Sequence, residues 1–218
     1  MSGNLHCPLC ACSGAEDFCR DRRRDYLRCG HCGLVFVPPR FYLSHAEEKA
    51  EYDLHRNLVD DPGYRGFLSR LANPLLARIP SAARGLDFGC GPGPALAAML
   101  EEAGHQVSLY DVFYRPDTGV LEESYQFITA TEVVEHLHQP AVVLEQLWAK
   151  LEPGGYLGIM TKLVRDAEAF ARWHYKNDQT HVCFFSDLSW RWWAGQRSAQ
   201  LECIGADVIL LRKAQERR

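Results

Sequence analysis

Residues 85–94 read Gly-Leu-Asp-Phe-Gly-Cys-Gly-Pro-Gly-Pro. A short apolar strand runs directly into three glycines at alternate positions, Gly89, Gly91 and Gly93. Glycine tolerates positive φ and lets a ligand approach the bare backbone, and Pro94 suits the first turn of a helix because its missing N–H has no partner there anyway. Strand, glycine loop and helix together predict a nucleotide-binding turn in an α/β sheet.

The glycine spacing and two carboxylates limit the class of ligand that this turn can bind. A dinucleotide fingerprint needs its third glycine where this chain has Pro94, and the sequence has no Gly-Lys-Ser/Thr for a phosphate-binding loop. Asp87 ends the strand, where its carboxylate would repel a pyrophosphate and attract a cation. Asp111 ends the next apolar run, and an acid there can accept both hydrogen bonds of a ribose diol. The turn is therefore predicted to bind a cationic nucleoside.

Two later motifs extend the pattern. Residues 127–137, FITATEVVEHL, read as a strand entering a short helix, and residues 151–160, LEPGGYLGIM, as a turn and a further strand. With the glycine loop and Asp111, these motifs resemble the class I S-adenosylmethionine-dependent methyltransferases, in their ubiquinone-type small-molecule branch, over roughly residues 60–213. The resemblance implies an α/β, Rossmann-like sheet of seven strands. The chain departs from it after Asp111, where too few residues remain for a full third strand and its helix, so that region is expected to be reduced.

The resemblance also implies where the cofactor binds. Asp87 and the glycines are expected to hold the methionine part of S-adenosylmethionine, and Asp111 its ribose. The full set of expected cofactor residues is Asp87, Phe88, Gly89, Cys90, Gly91, Gly93, Asp111, Val112, Thr131 and Glu132. An enzyme is favoured over a non-catalytic cofactor-binding scaffold because the motifs on both sides of the cleft are intact.

Methyl transfer to a hydroxyl or an amine requires positioning of both partners and removal of a proton. His181 is the main candidate for the base or the acceptor-orienting group, because a Thr-His element faces the acceptor pocket in the resembling enzymes. Asp178 is a candidate to orient this histidine, and Tyr175 and Phe184 are candidates to line the pocket. The alternative is that His181 is a loop histidine that only shapes the site.

A second group of candidates lies in the motif at residues 127–137. Glu132, Glu135 and His136 would share one helix face if the helix begins at Thr131. A divalent cation held there would lower the pKa of an acceptor hydroxyl, as the resemblance to ubiquinone-type O-methyltransferases implies. The alternative is that the two acids position the loop while His136 packs against the cofactor.

The N-terminus contains two Cys-x-x-Cys pairs, Cys7 with Cys10 and Cys29 with Cys32. This spacing predicts a four-cysteine zinc site. Tetrahedral thiolate ligation leaves no open position, so the ion is expected to be structural. The alternatives are reduced, unligated cysteines, or a site in which His31 replaces one cysteine.

Five arginines lie between the two cysteine pairs, in the segment Arg20–Arg28. The favoured interpretation is a solvated hairpin whose charge is partly offset by Asp21 and Asp25. The alternative is a docking surface for an RNA or protein substrate. The two differ in whether Arg22 to Arg24 face the mouth of the cofactor cleft.

The chain is thus predicted to have three parts: a zinc ribbon at residues 1–39, a helical linker and lid at 40–80, and the cofactor-binding domain at 81–218. In the linker, Ser44 and Glu47 predict a capping box at a helix start. Tyr52 and His55 are candidates for the substrate mouth, with plain surface placement as the alternative.

Composition limits the partners. Hydrophobic residues make up 47% and charged residues 24% of the chain, which is ordinary globular usage. A net charge of -4 provides no general attraction to nucleic acid or anionic membrane, and no apolar run has the length of a membrane span. Nine cysteines without an export signal favour reduced thiols and a cytoplasmic location. The predicted acceptor is the hydroxyl of a small molecule, with RNA or protein as the alternative.

Overall fold

The computed structural model describes residues 5–54 and 57–215, which form two β-sheets and the helices that cover them. In chain order the strands are β1 (Ala15–Arg20), β2 (Asp25–Cys29), β3 (Val35–Phe36), β4 (Arg84–Phe88), β5 (Gln106–Tyr110), β6 (Tyr125–Thr131), β7 (Leu151–Met160), β8 (Cys183–Phe184), β9 (Gln200–Ile204) and β10 (Val208–Arg212). The α-helices are α1 (His45–Tyr52), α2 (Pro62–Leu76), α3 (Ala95–Glu102), α4 (Pro140–Lys150), α5 (Ala167–Ala171) and α6 (Asp187–Gly195). Short 3-10 helices cover Pro39–Phe41, Thr118–Glu122, Val134–His136 and His174–Asn177.

The larger sheet is a mixed sheet with the strand order β5-β4-β6-β7-β10-β9. The first four strands in this order are parallel, and β10 and β9 form an antiparallel pair at one edge. The sequence predicts seven strands, and the described residues place six in this sheet. The difference falls in the region expected to be reduced, because the 3-10 helix Thr118–Glu122 takes the place of a strand between β5 and β6.

Two apolar layers cover this sheet. Leu71 and Leu75 of α2 and Leu100 of α3 belong to one cluster. Leu144 of α4 and Trp190 of α6 belong to a second, larger cluster, which also contains the buried residues of the smaller sheet. The cysteine-rich N-terminus therefore shares a core with the rest of the chain.

The smaller sheet has the order β1-β2-β3-β8 and is antiparallel throughout. Its fourth strand comes from far along the chain, since Val35 pairs with Phe184 and Phe36 with Cys183. The backbone N–H of Val37 extends the pairing by donating to Val182 O at 2.9 Å. The ribbon predicted at residues 1–39 is thus completed by a strand that directly follows the loop of His181.

The linker forms helices where the local signals place them. Ser44 and Glu47 make the predicted capping box at the start of α1, and Asp61 caps α2 ahead of Pro62. The chain after α1 then lies directly on the glycine loop, because a Cβ added to Gly93 would collide with the carbonyl oxygen of Asn57. None of the helices in the described ranges is long and apolar enough to cross a bilayer.

Candidate active site

The carboxyl ends of β4, β5, β6 and β7 meet at one edge of the larger sheet. Asp87, Asp111, Glu132 and Thr161 lie at or just beyond the ends of these four strands. Open α/β sheets bind their ligands at this edge. The structure therefore brings together the acidic residues that the sequence placed at separate strand ends.

The glycine loop has the backbone that its sequence predicts. Gly89 and Gly91 have φ values of 74° and 64°, in the left-handed region that favours glycine. A Cβ on Gly89 would collide with Val133, whereas the Cβ position at Gly91 faces open space. The loop is anchored because the backbone N–H groups of Gly89 and Cys90 both donate to Tyr110 O, at 2.8 and 3.2 Å.

Asp87 is buried, with 2% of its surface exposed. Thr129 Oγ1 donates to its Oδ1 at 2.7 Å. Burial raises the pKa of Asp87 to about 7, and the nearby charge of Asp111 adds to the effect. A cation bound beside this carboxylate would offset the cost of its buried charge.

The carboxylate of Asp111 already accepts hydrogen bonds from the backbone around it. Its Oδ2 accepts from Gly91 N at 3.0 Å, and its Oδ1 accepts from Phe113 N and Tyr114 N at 2.8 and 3.1 Å. A carboxylate offers about four acceptor positions, so about one remains for a ligand. Asp111 lies where the sequence predicts it, but it joins the glycine loop to the next turn as well as facing the cleft.

Other predicted cofactor residues surround this loop. The Phe88 ring stacks on Tyr110, with centroids 5.2 Å apart. Val112 is 54% exposed and presents an apolar side chain beside Asp111. Burial raises the pKa of the Cys90 thiol to about 12, so this cysteine remains neutral at physiological pH.

Tyr64 of α2 faces the same cleft and was missed by the sequence reasoning. Burial raises its pKa to about 12, and the negative charges of Asp87 and Glu132 contribute. Its place on the apolar face of α2 is typical of a core residue, so periodicity alone gave no sign of a role at the cleft.

Glu132 and Glu135 meet around Tyr175. The Tyr175 hydroxyl donates to Glu135 Oε1 and lies 3.3 Å from Glu132 Oε2, and Thr161 Oγ1 donates to Glu135 Oε2 at 3.0 Å. Burial raises the pKa of Glu132 to about 7 and that of Glu135 to about 8, where the charge of Glu132 adds to it. Both acids are therefore largely neutral in mildly acidic solution.

The condition for a shared helix face, a helix that begins at Thr131, is not met. Thr131 is the last residue of β6, Glu132 has a φ of 52°, and the 3-10 helix covers only Val134–His136. The left-handed backbone of Glu132 interrupts regular structure here, and the two glutamates converge on Tyr175 instead of sharing a helix face.

His181 is 6% exposed and held by the backbone of its own loop. Its Nδ1 lies 2.7 Å from Tyr175 O. A carbonyl oxygen only accepts, so Nδ1 carries the proton and Nε2 of the neutral ring is an acceptor. Burial lowers the pKa of His181 to about 4, which keeps the ring neutral at pH 7.

Asp178, the candidate to orient His181, lies beyond hydrogen-bond distance of its ring. Its Oδ2 lies 3.7 Å from His181 Nε2, while its Oδ1 accepts from Thr180 N and Thr180 Oγ1 at 2.9 and 2.6 Å. The Tyr175 carbonyl orients the ring, and Asp178 supplies a nearby negative charge.

Glu135, His136 and His181 have potential ligand atoms within 4.8 Å of one another. The rings of His136 and His181 have centroids 4.6 Å apart. This grouping differs from the predicted cation site, in which Glu132 took the place of His181. Both carboxyl oxygens of Glu135 already accept hydrogen bonds from hydroxyl groups, and burial favours the neutral form of this acid. The donor set therefore fits a divalent ion poorly.

Helix α1 forms a wall over these residues. The Tyr52 ring lies 5.2 Å from that of His136 and 5.5 Å from that of Phe113, and burial raises the Tyr52 pKa. Tyr114 Oη donates to Asp53 Oδ1 at 2.7 Å. The wall thus touches both His136 and the segment after Asp111. His55, the other candidate for the substrate mouth, lies outside the described residues.

Phe184 lies in the core below the His181 loop and not in the cleft. It is 1% exposed, and its ring packs against Phe170 and Tyr26 with centroids 5.2 and 5.9 Å apart. Phe184 belongs to β8, the strand that directly follows the loop of His181. The residue therefore supports this loop from the core side.

The four predicted cysteine ligands form one cluster. Cys7 Sγ and Cys32 Sγ lie 3.5 Å apart, as do Cys10 Sγ and Cys29 Sγ, and all four sulfur atoms are within 4.8 Å of one another. A tetrahedral zinc ion with Zn–S bonds of about 2.3 Å places its sulfurs about 3.8 Å apart. The donor set therefore fits zinc. His31, the alternative ligand, instead accepts from Trp192 Nε1 at 2.9 Å.

The arginine hairpin is solvated at Arg20, Arg22, Arg23 and Arg28 but not at Arg24. Arg24 is 4% exposed, and its guanidinium donates to backbone carbonyls of the loop that carries His181. The solvated interpretation is wrong for this residue. Arg24 also has no free donor for an external substrate at the mouth of the cleft.

A family model described as "Methyltransferase domain" matches residues 62–204. No curated protein matches the chain. Among solved structures, the 1,6-didemethyltoxoflavin-N1-methyltransferase of Burkholderia thailandensis, with bound 1,6-didemethyltoxoflavin and S-adenosylhomocysteine, is similar with a TM-score of 0.55 and 16% identity, covering 92% of this chain and 100% of that chain. The magnesium protoporphyrin IX methyltransferase of Synechocystis PCC 6803, with bound S-adenosylhomocysteine, is similar with a TM-score of 0.53 and 12% identity, covering 80% and 97%. At these identities the likeness establishes the fold alone.

The buried acid Glu135 predicts a specific dependence of stability on pH. Its pKa of about 8 in the folded protein lies above the ordinary glutamate pKa of 4.5, so the folded state binds more protons between these values. Stability falls as the pH rises through this window, by at most about 1.4 kcal/mol per pH unit for one group. We expect Glu135→Gln to gain unfolding free energy relative to the wild type from pH 5 to pH 8. Urea unfolding at several pH values measures it.

Glu16→Gln, at an exposed position of β1, is the matched control and should track the wild type throughout. A difference between Glu135→Gln and the wild type that stays constant across this pH range would contradict a neutral buried acid.

Proposed function

This chain belongs to the family of methyltransferase domains, and we propose that it transfers the methyl group of S-adenosylmethionine to a hydroxyl group of a small molecule. It is a methyltransferase of the S-adenosylmethionine-dependent kind, which follows from the family and the fold. The acceptor class, the role of each residue and the bound zinc are the proposed parts.

The cofactor is proposed to lie along the glycine loop. Asp87 would face its ammonium group, because a buried carboxylate with a raised pKa gains most from a nearby cation. Asp111 retains about one acceptor position for a ribose hydroxyl. The exposed apolar side chain of Val112 would contact the adenine base of S-adenosylmethionine.

The packing of α1 and of Asn57 over the site is the observation that carries the small-molecule proposal. Tyr52 packs on His136, and Asn57 lies on Gly93, so the wall spans the acceptor side and the cofactor loop. A site covered in this way suits a small acceptor. A polymer would need cations available beside the cleft. The five donors of Arg24 are used within the protein, so such an acceptor would have to use the exposed arginines of the hairpin, such as Arg22 and Arg23.

His181 is proposed to accept the hydroxyl proton. Its Nε2 is an acceptor in the neutral ring, since Nδ1 donates to the Tyr175 carbonyl. The oxygen attacks the methyl carbon in line, the carbon–sulfur bond breaks with its electron pair going to sulfur, and the proton passes to Nε2. Asp178, 3.7 Å from Nε2, would stabilise the imidazolium. A pKa of about 4 makes this ring a weak base, so orientation of the acceptor is a large part of its role.

The four-cysteine cluster is proposed to hold one structural zinc ion. Four thiolates around one ion leave no open coordination position, so the ion supplies stability and no chemistry. It would fix the two cysteine loops that flank β1 and β2.

Binding of S-adenosylmethionine by calorimetry tests the cofactor assignment. We expect saturable binding by the wild type and a loss of roughly 10- to 100-fold in affinity for Asp87→Asn, because a charge-assisted contact is removed. Asp111→Asn should also weaken binding, because an amide has one acceptor oxygen and cannot accept from both Gly91 N and the N–H groups of Phe113 and Tyr114. Glu122→Gln removes an exposed acid that pairs with Lys150, and it should bind as the wild type does.

Transfer of labelled methyl groups into a cell extract, separated into small-molecule, RNA and protein fractions, tests the acceptor class. We expect the label in the small-molecule fraction, with His181→Ala lowering the rate by about 100-fold or more. His174→Ala, at an exposed position of the same loop, is the matched control. Label mainly in RNA or protein, or wild-type turnover by His181→Ala, would overturn the proposal.

Elemental analysis tests the zinc site. We expect about one zinc per chain, lost when Cys7 and Cys29 are both replaced by serine. Cys203→Ser removes an exposed cysteine of β9 that lies outside the cluster, and it should retain the metal. Wild-type protein purified without zinc, and unable to bind it, would contradict the assignment.

A further inference from the structure

We propose that Arg24 is a positioning residue of the active site, through which the cysteine-rich sheet sets the position of His181. This inference rests on the proposed function for the role of His181. It makes the N-terminal sheet one wall of the acceptor site and not an appendage for stability or docking.

The geometry of Arg24 carries the proposal. Its Nη1 donates to Gln179 O and His181 O at 3.0 and 2.8 Å. Its Nη2 donates to Lys176 O and Asp178 O at 2.5 and 2.8 Å. Nε lies 3.3 Å from the hydroxyl of Tyr26, so all five N–H donors of the guanidinium have an acceptor.

Four of these acceptors are carbonyl groups from one short segment, residues 176–181. Four carbonyl dipoles that converge on a point repel one another unless a cation lies between them. The segment therefore has its observed shape because a buried guanidinium occupies its centre. Removing that group would take the guanidinium donor from the buried carbonyl of His181 and from the part-buried carbonyls of Asp178 and Gln179, and the segment would have to rearrange.

A second contact links the hairpin of β1 and β2 to the loop that carries His181. Lys176 is 5% exposed, and its Nζ lies 2.7 Å from Asp21 Oδ2 at the tip of the hairpin. Burial opposes ionisation of Asp21, but hydrogen bonds from Lys176 and from the backbone of Arg23 and Arg24 hold its pKa well below the usual range. The hairpin and the loop thus pair through complementary charges.

The shape of this segment determines where the His181 ring lies. The His181 carbonyl is held by Arg24, and the ring Nδ1 is held by Tyr175 O, one residue before the segment. Val182 N donates to Glu135 O at 2.8 Å, and β8 begins at the next residue. A shift of the segment would move the ring relative to its Nδ1 partner, and the acceptor nitrogen with it.

Arginine is required here for a reason that lysine cannot meet. The guanidinium spreads five donors over a planar fork, whereas an ammonium group offers three donors at one point. Arg24→Lys retains the charge but cannot reach four carbonyls and the Tyr26 hydroxyl. Arg24→Lys and Arg24→Gln therefore form a test pair, with Arg22→Gln, exposed on the same hairpin, as the control.

The experiment combines three measurements on the full chain. Hydrogen exchange reports the amides of residues 176–182, nitrogen-15 chemical shifts report which His181 ring nitrogen carries the proton, and calorimetry with S-adenosylhomocysteine reports the cofactor side. In both Arg24 variants we expect exchange at least about tenfold faster in this segment and a mixed His181 tautomer. Zinc content and S-adenosylhomocysteine affinity should stay within about twofold of the wild type, and Arg22→Gln should match the wild type throughout.

The outcomes separate this inference from the proposed function. Unchanged exchange and an unchanged His181 tautomer in Arg24→Lys would overturn the inference. Joint loss of zinc and of S-adenosylhomocysteine binding in both variants would also overturn it, because Arg24 would then stabilise the whole fold. Labelled methyl transfer should fall roughly tenfold or more in Arg24→Lys, and an unchanged rate alongside a loosened segment would reject the positioning role. If the wild type transfers no methyl group, the proposed function fails, while the exchange and tautomer measurements still decide whether Arg24 shapes the loop.

Discussion

Burial of carboxyl groups at the carboxyl edge of the parallel strands is the constraint on which the site depends. Asp87, Glu132 and Glu135 all lie there with raised pKa values, because burial penalises their charged forms. Neighbouring hydroxyl groups from Thr129, Thr161 and Tyr175 offset part of this cost. Such an edge favours a cationic ligand, and the glycine loop beside it allows that ligand to approach the backbone.

The second constraint is the shared sheet between the two ends of the chain. Because β8 pairs with β3, the loop that carries His181 leads directly into the cysteine-rich sheet. Stability of that sheet and the position of the acceptor loop are then coupled, and a metal ion at the cysteine cluster would influence the site without touching it. Arg24 is the most direct contact in this coupling.

The sequence was sufficient wherever the signal is local. The glycine loop, the strand that ends at Asp87, the capping box at Ser44 and the two cysteine pairs all follow from residue type at fixed spacing. It was insufficient where partners are distant or the backbone is unusual. The positive φ of Glu132 has no sequence signature in a non-glycine residue, and the acceptors of Arg24 are backbone carbonyls of residues 176–181. Tyr64 could not be separated from a core residue of α2, and the role of Phe184 depends on a strand pairing that no local pattern indicates.

Proton release on binding shows whether the buried acid Asp87 faces the positive charge of S-adenosylmethionine. At pH 7 this group is about half protonated in the free protein, since its pKa is about 7. A bound cation lowers the pKa, so calorimetry in buffers of different ionisation enthalpy should show release of up to roughly half a proton per S-adenosylmethionine bound. Absence of saturable binding, or binding with no proton release at pH 7, would contradict the assignment of Asp87 as the partner of the cofactor's positive charge.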